Sequence, residues 1–144
     1  MMLERPAVIT DLDGTLSIAE NRRYNEFDKV ATDTPDYVLL EILQSLISDN
    51  KRALIVITGR PDLGNCRADS MSWIESVIGR KPDLLLMRKE GDHSPDCLVK
   101  RRLFERYIVG RYAVEIVFED KPSVVSMWRE KGLRCYEVAN NERG

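Results

Sequence analysis

Short apolar runs alternate along the chain with longer segments that carry apolar residues at helical spacing. The apolar runs cover residues 7–12, 53–57, 84–87, 114–118 and 133–138, and each predicts a buried strand. The segments between them predict helices over residues 36–48, 67–78, 94–110 and 122–132. Continuous apolar strands separated by amphipathic helices are typical of a parallel sheet covered on both faces. We therefore predict an α/β chain with a central parallel sheet.

Turn residues mark the ends of several predicted helices. Gly79 and Gly132 are placed to end helices, and Pro122 to open one. Ser94 followed by Pro95 predicts an N-cap with proline as the first helical residue. Residues 17–35 are polar and irregular, which favours a surface loop. With 144 residues and no repeat or linker, we expect one domain over residues 1–144.

Composition changes this picture little. The net charge is −2, which does not predict a nucleic-acid partner. The three cysteines are widely separated and form no Cys-x-x-Cys pair, which argues against a disulfide framework or a zinc site. No signal peptide or membrane-length apolar run is visible, so we expect a cytoplasmic protein without a membrane partner.

Polar side chains follow three of the predicted strands. Asp11 and Asp13 follow the first, Thr58 the second, and Glu119 with Asp120 the fourth. In open parallel sheets, ligands bind at the carboxyl ends of the strands. Lys100 lies early in a predicted helix, from which its ammonium can reach the same edge.

These groups suit phosphoryl transfer. Attack of the Asp11 carboxylate on phosphorus would give an aspartyl-phosphate, and Asp13 would serve as general acid and base. The carboxylates of Asp11 and Asp120, with the backbone carbonyl of Asp13, would hold a hard cation such as Mg²⁺. Thr58 and Lys100 would hold the phosphoryl oxygens.

Taken singly, each motif has a plainer interpretation. Asp-Leu-Asp-Gly alone is more often a calcium loop or a turn, although the third acid and closing glutamate of an EF-hand are missing here. Thr58-Gly59-Arg60 alone is a turn, and Glu119-Asp120 alone an acidic helix start. Lys100 alone is a solvated helix residue. Their occurrence together, at the ends of predicted strands, favours the catalytic interpretation.

The four motifs together resemble those of the haloacid-dehalogenase-like (HAD) phosphatases, over nearly the whole chain. The resemblance implies a three-layer Rossmann-like fold, Mg²⁺ dependence, Asp11 as nucleophile and Asp13 as acid/base. It also implies that Thr58 is the phosphate-binding hydroxyl of the second motif, Lys100 the lysine of the third motif and Asp120 the metal-binding acid of the fourth. Glu119 would lie behind the metal ligands and orient Lys100.

A narrower resemblance is to the 3′-phosphatase domain of bacteriophage polynucleotide kinase–phosphatases. It implies removal of a 3′-phosphate from DNA or RNA ends. It also implies that Arg60 and either Arg22 or Arg23 contact phosphate, and that Asp96 helps to place Lys100. The matching segments are Asn21-Arg22-Arg23, Thr58-Gly59-Arg60, residues 87–92, Asp96-x-x-x-Lys100, Glu119-Asp120-Lys121 and residues 124–129.

Two features depart from that family's usual pattern. Glu119 stands where the family usually has aspartate, which changes the geometry behind the metal ligand. No GxxxxGK[ST] stretch is present, so we expect no P-loop kinase domain and no 5′-kinase activity.

The short inserts predict little or no cap domain, and hence an open site that suits a polymer end. Basic residues would surround its mouth and contact backbone phosphates without reading bases. These are Arg22, Arg23, Arg60, Arg67, Arg88 and Lys89, although Arg67, Arg88 and Lys89, taken singly, are more often ordinary surface charges. Trp73 and Trp128 lie on apolar helix faces and are expected in the core.

Two alternatives remain open at this stage. One is an HAD nucleotidase that acts on mononucleotides. The other is a non-catalytic scaffold that docks to a separate kinase or repair ligase. The presence of Asp11, Asp13, Lys100 and Asp120 disfavours the scaffold.

Overall fold

The computed structural model describes residues 3–139, which form seven strands and four α-helices. The strands are β1 (Arg5–Thr10), β2 (Ser17–Ile18), β3 (Thr34–Pro35), β4 (Ala53–Pro61), β5 (Leu84–Arg88), β6 (Tyr112–Glu119) and β7 (Cys135–Glu137). The helices are α1 (Tyr37–Ile47), α2 (Cys66–Ile78), α3 (Asp96–Tyr107) and α4 (Pro122–Glu130). No helix within residues 3–139 combines the length and apolar character needed to cross a bilayer.

Five strands form one parallel sheet in the order β5-β4-β1-β6-β7. The chain leaves the central strand β1 toward β4 and β5, then crosses to its other side to form β6 and β7. Chain order therefore reverses beside β1, and ligands of open α/β sheets bind at such a reversal. Asp11 directly follows β1, and its backbone N–H donates to the Phe118 carbonyl of β6 at 3.1 Å.

Side chains of the central strands alternate between two apolar cores, one on each face of the sheet. Val8, Leu54 and Val56 lie in the core covered by α1 and α2. Ile9 and Ile55 lie in the core covered by α3 and α4. Because both faces are buried, the strands have continuous apolar sequences. The predicted three-layer α/β fold is confirmed.

The two tryptophans lie one in each core, as predicted. Trp73 of α2 is 6% exposed and Trp128 of α4 is 1% exposed. The indole Nε1–H of Trp73 donates to the backbone carbonyl of Asp33 at 2.9 Å. This bond joins α2 to the segment between β1 and α1.

Residues 17–35 are more ordered than the loop that the sequence predicts. β2 and β3 pair antiparallel, and Phe27–Thr32 forms a 3-10 helix between them. Val30 is fully buried there, in an otherwise polar stretch. The prediction of an irregular loop was wrong because one buried apolar residue and long-range hydrogen bonds order the segment. The segment packs against α2 and adds no separate cap layer within residues 3–139.

The start of α3 also differs from prediction. The helix begins at Asp96, and the extended Pro95 precedes it without a side-chain cap hydrogen bond. Ser94 belongs to a turn in which its N–H donates to Asp92 Oδ1 and its carbonyl accepts from Arg88 Nη1 at 2.6 Å. The predicted Ser94 cap was wrong because this turn, which holds Arg88, takes up its backbone groups.

Leu43→Ala should lower the free energy of unfolding by about 2–5 kcal/mol, because it leaves a cavity beneath α1. Leu43 is fully buried, whereas its neighbour Ile42 is 43% exposed. Ile42→Ala is therefore the matched control, with an expected loss of less than about 1 kcal/mol. Urea unfolding of both variants measures the difference, and equal losses would contradict this assignment of the core.

Candidate active site

Asp11 lies at the carboxyl end of β1, where the sheet order reverses. Its carboxylate is buried, and Lys100 Nζ donates to Oδ1 at 2.9 Å. Thr15 Oγ1 lies 3.0 Å from Asp11 Oδ2 and 3.0 Å from Asp120 Oδ1, so one hydroxyl bridges two carboxylates. Sequence reasoning gave Thr15 no role, although it lies four residues after Asp11 in the same motif.

A tight turn after Asp11 folds the motif back onto the sheet. Gly14 has a φ of +79°, a conformation that favours glycine, and its N–H donates to the Ser17 carbonyl at 2.9 Å. Leu12 and Leu16 are fully buried and anchor the turn in the core. The turn thereby fixes the position of Asp13 relative to Asp11.

Asp11, Glu119 and Asp120 form a buried acidic cluster. One carboxylate oxygen of each lies within 4.8 Å of the others. Oxygen donors of this kind suit Mg²⁺. Glu119 uses both oxygens within the protein, since Lys100 donates to Oε1 at 2.6 Å and the N–H groups of Asp120 and Lys121 donate to Oε2. Asp11 and Asp120 are therefore the carboxylates that best fit a cation.

Burial and charge shift the pKa values of these groups. Burial raises the pKa of Asp11, although Lys100 opposes the shift. Burial and the Asp11 carboxylate raise the pKa of Glu119 to about 8. Burial by itself lowers the pKa of Lys100, but Asp11 and Glu119 more than compensate and raise it well above its usual value. Lys100 therefore carries a positive charge, and this single ammonium lies among the three carboxyl groups of the cluster.

A second charged network surrounds Asp13. Arg22 Nη2 and Arg60 Nη2 each donate to Asp13 Oδ1 at 2.8 Å, and Arg60 Nε donates to Oδ2 at 3.0 Å. Both arginines also contact Asp33, through Arg22 Nε at 2.7 Å and Arg60 Nη2 at 3.2 Å. None of the four side chains is more than 6% exposed.

Hydroxyl groups complete this network. Ser17 Oγ donates to Asp33 Oδ2 at 2.5 Å, and Arg60 Nη1 donates to Ser70 Oγ at 2.8 Å. Sequence reasoning missed Asp33, Ser17 and Ser70. The signal available for Asp33 was charge balance, because two arginines buried beside one carboxylate need a second acid.

Arg22 and Arg23, which the sequence could not separate, occupy different environments. The Arg22 side chain is fully buried, whereas Arg23 is exposed. Arg23 contributes backbone groups, since its carbonyl accepts from Arg22 Nη1 at 3.3 Å and its N–H donates to Glu26 Oε1 at 2.8 Å. Of Arg22 and Arg23, it is therefore Arg22 whose guanidinium contacts Asp13.

Thr58 and Gly59 lie near the end of β4, beside the site. Thr58 is fully buried, and the backbone N–H of Arg60 donates to its Oγ1 at 3.2 Å. A Cβ at Gly59 would lie 2.8 Å from Asp96 Oδ1. A larger residue at position 59 would therefore displace the Asp96 carboxylate.

Asp96 joins three segments at the rim of the site. Arg88 Nη2 donates to its Oδ1, and Lys121 Nζ donates to Oδ2 at 2.8 Å. Burial by itself raises the pKa of Asp96, but Lys121 more than offsets this and lowers it below its usual value. Asp96 opens α3 and lies one turn before Lys100, so these ion pairs fix the helix that carries Lys100.

Arg67 and Lys89 line a groove of about 760 Å³ beside β5 and α3, whose wall also includes Glu90 and Asp92. Arg67 Nε also donates to Asp62 Oδ2 at 3.0 Å in an ion pair that is about half exposed.

Comparison with known proteins identifies relatives of the whole described fold. The family model of the polynucleotide kinase PNKP phosphatase domain matches residues 5–142. A baculoviral protein, "Putative bifunctional polynucleotide kinase/RNA ligase" of Autographa californica nuclear polyhedrosis virus, is 35% identical over 125 residues, which are 86% of this chain and 18% of that protein.

Two solved structures also contain chains that are similar to this one in fold and sequence. A chain in the structure of the Pnkp1/Rnl/Hen1 complex superposes with a TM-score of 0.87 at 31% identity, over 96% of this chain and 47% of that one. A chain in the Pnkp1/Rnl/Hen1 RNA repair complex superposes with a TM-score of 0.85 at 31% identity, over 96% and 44%. This chain therefore spans less than half of each of these structural relatives.

Asp33→Asn should lower the free energy of unfolding by about 3 kcal/mol, because it leaves two buried guanidinium groups with one carboxylate. Asp36→Asn is the matched control three residues away. Asp36 caps α1 by accepting from the N–H groups of Val38 and Leu39, and asparagine caps a helix equally well. Urea unfolding measures both variants, and a similar small loss in each would show that Asp33 is dispensable.

Proposed function

The chain belongs to the family of polynucleotide kinase PNKP phosphatase domains, and we propose that it removes the 3′-phosphate from DNA or RNA ends through an aspartyl-phosphate on Asp11. The observation that supports this most directly is the convergence of Asp11, Asp13, Lys100 and Asp120 at the sheet reversal. Asp11 and Asp13 share one motif, whereas Lys100 and Asp120 come from two others, and together the four supply a nucleophile, an acid/base, a cation and a metal ligand.

In the first step, the Asp11 carboxylate attacks phosphorus and the bond from phosphorus to the 3′-oxygen breaks. Asp13 gives a proton to the departing 3′-oxygen, which leaves a 3′-hydroxyl. In the second step, water attacks the aspartyl-phosphate while Asp13 accepts its proton. Inorganic phosphate then leaves and Asp11 is regenerated.

Asp13 must exchange partners to perform this role. It accepts hydrogen bonds from two guanidinium groups in the structure, whereas a general acid must carry a proton itself. Phosphate oxygens are strong acceptors for arginine. An incoming phosphate that takes these donors would free Asp13 to face the leaving oxygen, which gives Arg22 and Arg60 a role in substrate binding.

Mg²⁺ fits the acidic cluster through the carboxylates of Asp11 and Asp120, with the Asp13 carbonyl as a further oxygen donor. When bound, the ion neutralises charge on the phosphoryl oxygens. Glu119 holds Lys100 rather than the metal, because its Oε2 accepts from two backbone N–H groups and its Oε1 from Lys100, whereas each oxygen of Asp11 accepts a single hydrogen bond. Lys100 in turn contacts Asp11 and is placed to stabilise charge on the transferring group.

We also propose that this phosphatase prepares ends for a kinase and a ligase on separate or adjoining polypeptides. A 3′-hydroxyl is the group that end joining requires. The viral relative is named for kinase and ligase activities, and the structural relatives come from an RNA repair complex.

The proposed reaction is tested with a 3′-phosphorylated oligonucleotide, a 3′-mononucleotide and a 5′-mononucleotide, each with and without Mg²⁺. We expect phosphate release mainly from the oligonucleotide, in the presence of Mg²⁺. Asp11→Asn should lower kcat at least about 1,000-fold because the nucleophile is lost. The exposed Asp28→Asn is the matched control and should retain wild-type kcat.

Faster turnover of mononucleotides than of the oligonucleotide would favour a nucleotidase and contradict the proposal. Near wild-type activity of Asp11→Asn would contradict the assignment of the nucleophile.

Mg²⁺ should raise the melting temperature of the wild-type protein and should have little effect on Asp120→Asn, because that variant lacks a ligand carboxylate. Without metal, Asp120→Asn should be at least as stable as wild type, since it relieves repulsion from Asp11. Calorimetric scans of both proteins, with and without Mg²⁺, measure these shifts. An equal Mg²⁺ shift in the two proteins would contradict the proposed site.

A further inference from the structure

A groove of about 500 Å³ opens beside the catalytic residues. Its walls come from the segment before the 3-10 helix, the end of β4, the turn between β5 and α3, and the start of α4. We call it the rim groove, and its defining residues are Tyr24, Phe27, Leu63, Asp92, Asp96 and Lys121.

Three residues of the rim groove lie close in the chain to catalytic residues. Its wall residue Gly59 follows Thr58, and its wall residue Lys121 follows Asp120. Asp96 lies one helical turn before Lys100 on α3. The groove therefore opens beside the catalytic residues, where the rest of a substrate held there by its phosphate can lie.

The groove exposes apolar surface that the fold does not need for its core. Tyr24 is 49% exposed and Leu63 is 52% exposed. The Tyr24 ring packs edge-to-face on Phe27, with centroids 6.4 Å apart and an interplanar angle of 68°. This leaves a supported aromatic ring at the mouth of the groove, a surface that suits stacking with a flat ring.

The position of Tyr24 is tied to the catalytic network. Arg22 Nη1 donates to the Tyr24 carbonyl at 2.8 Å, while Arg22 Nη2 donates to Asp13 Oδ1. Since Arg22 is buried, the backbone of Tyr24 is held at a fixed place relative to Asp13. The aromatic ring is thus set close to the reacting end by the same guanidinium.

The charges of the groove select among the parts of a nucleic acid. Glu90 and Asp92 lie in its wall, and its two cations, Arg88 and Lys121, are both already paired with Asp96. Carboxylates disfavour a phosphodiester at this place, whereas an uncharged planar base meets no such repulsion. Stacking on an aromatic side chain contributes about 1–3 kcal/mol per base and tolerates any base.

We propose that the rim groove binds the base of the 3′-terminal nucleoside, with Tyr24 as the stacking residue. This rests on the proposed 3′-phosphatase function and adds a subsite to it. The groove supplies affinity for a nucleoside without specifying which base it is. Phosphate is then held by the buried arginines, and the base is held outside them.

The test compares two 3′-phosphorylated oligonucleotides that differ only in whether the terminal sugar carries a base. Wild type should show a kcat/KM about 5- to 150-fold higher for the substrate with a terminal base, as expected of one stacked base. In Tyr24→Ala this ratio should fall close to 1. Tyr24→Phe retains the ring and should retain the ratio.

Tyr37→Ala is the matched control, since Tyr37 is 68% exposed on α1 and lies outside the groove. It should keep the wild-type ratio. Equal kcat/KM values of wild type for the two substrates, or an unchanged ratio in Tyr24→Ala, would overturn the base subsite while leaving the phosphatase proposal intact. Failure of wild type to hydrolyse either substrate would instead overturn the proposed function and the subsite that rests on it.

Discussion

The site depends on the ion pairs that the buried ammonium of Lys100 forms. It contacts Asp11 after β1 and Glu119 at the end of β6, and it reaches them from α3. Without this cation, three carboxylates would share one buried pocket, at a cost that the protein would relieve by taking up protons. Lys100 therefore joins the central strand, its neighbour and the helix layer through a charge that none of them could bury alone.

The second network, around Asp13, ties the segment between β1 and α1 to the sheet. Arg22 and Asp33 both belong to that segment, whereas Arg60 belongs to β4. Arg22 and Arg60 each contact both Asp13 and Asp33 with little exposure to water, so the ion pairs form only when the segment is folded over the sheet. This arrangement couples the geometry of the proposed acid/base to a part of the chain that carries few apolar residues.

Much of the architecture could be predicted from the sequence, because the strands are buried on both faces and have continuous apolar sequences. The meeting of Asp11, Lys100 and Asp120 was also predictable, since parallel strands place their carboxyl ends at one edge. Asp33 was not predictable in this way. Its partners Ser17 and Arg60 lie 16 and 27 residues away, and hydrogen-bonded polar side chains leave no periodic pattern.

The charges of the two networks give a physical reason for the proposed metal dependence. Around Asp13, two arginines balance two aspartates, so that this half of the site is neutral. Around Asp11, three carboxyl groups face one ammonium, so negative charge remains uncompensated whether Glu119 is ionised or protonated. Burial, and then the charge of Asp11, raises the pKa of Glu119. A phosphate dianion would meet net repulsion at Asp11, and a divalent cation between Asp11 and Asp120 would remove it. We therefore propose that a metal ion binds before phosphate, for an electrostatic reason that is separate from any contribution of the ion to the chemical step.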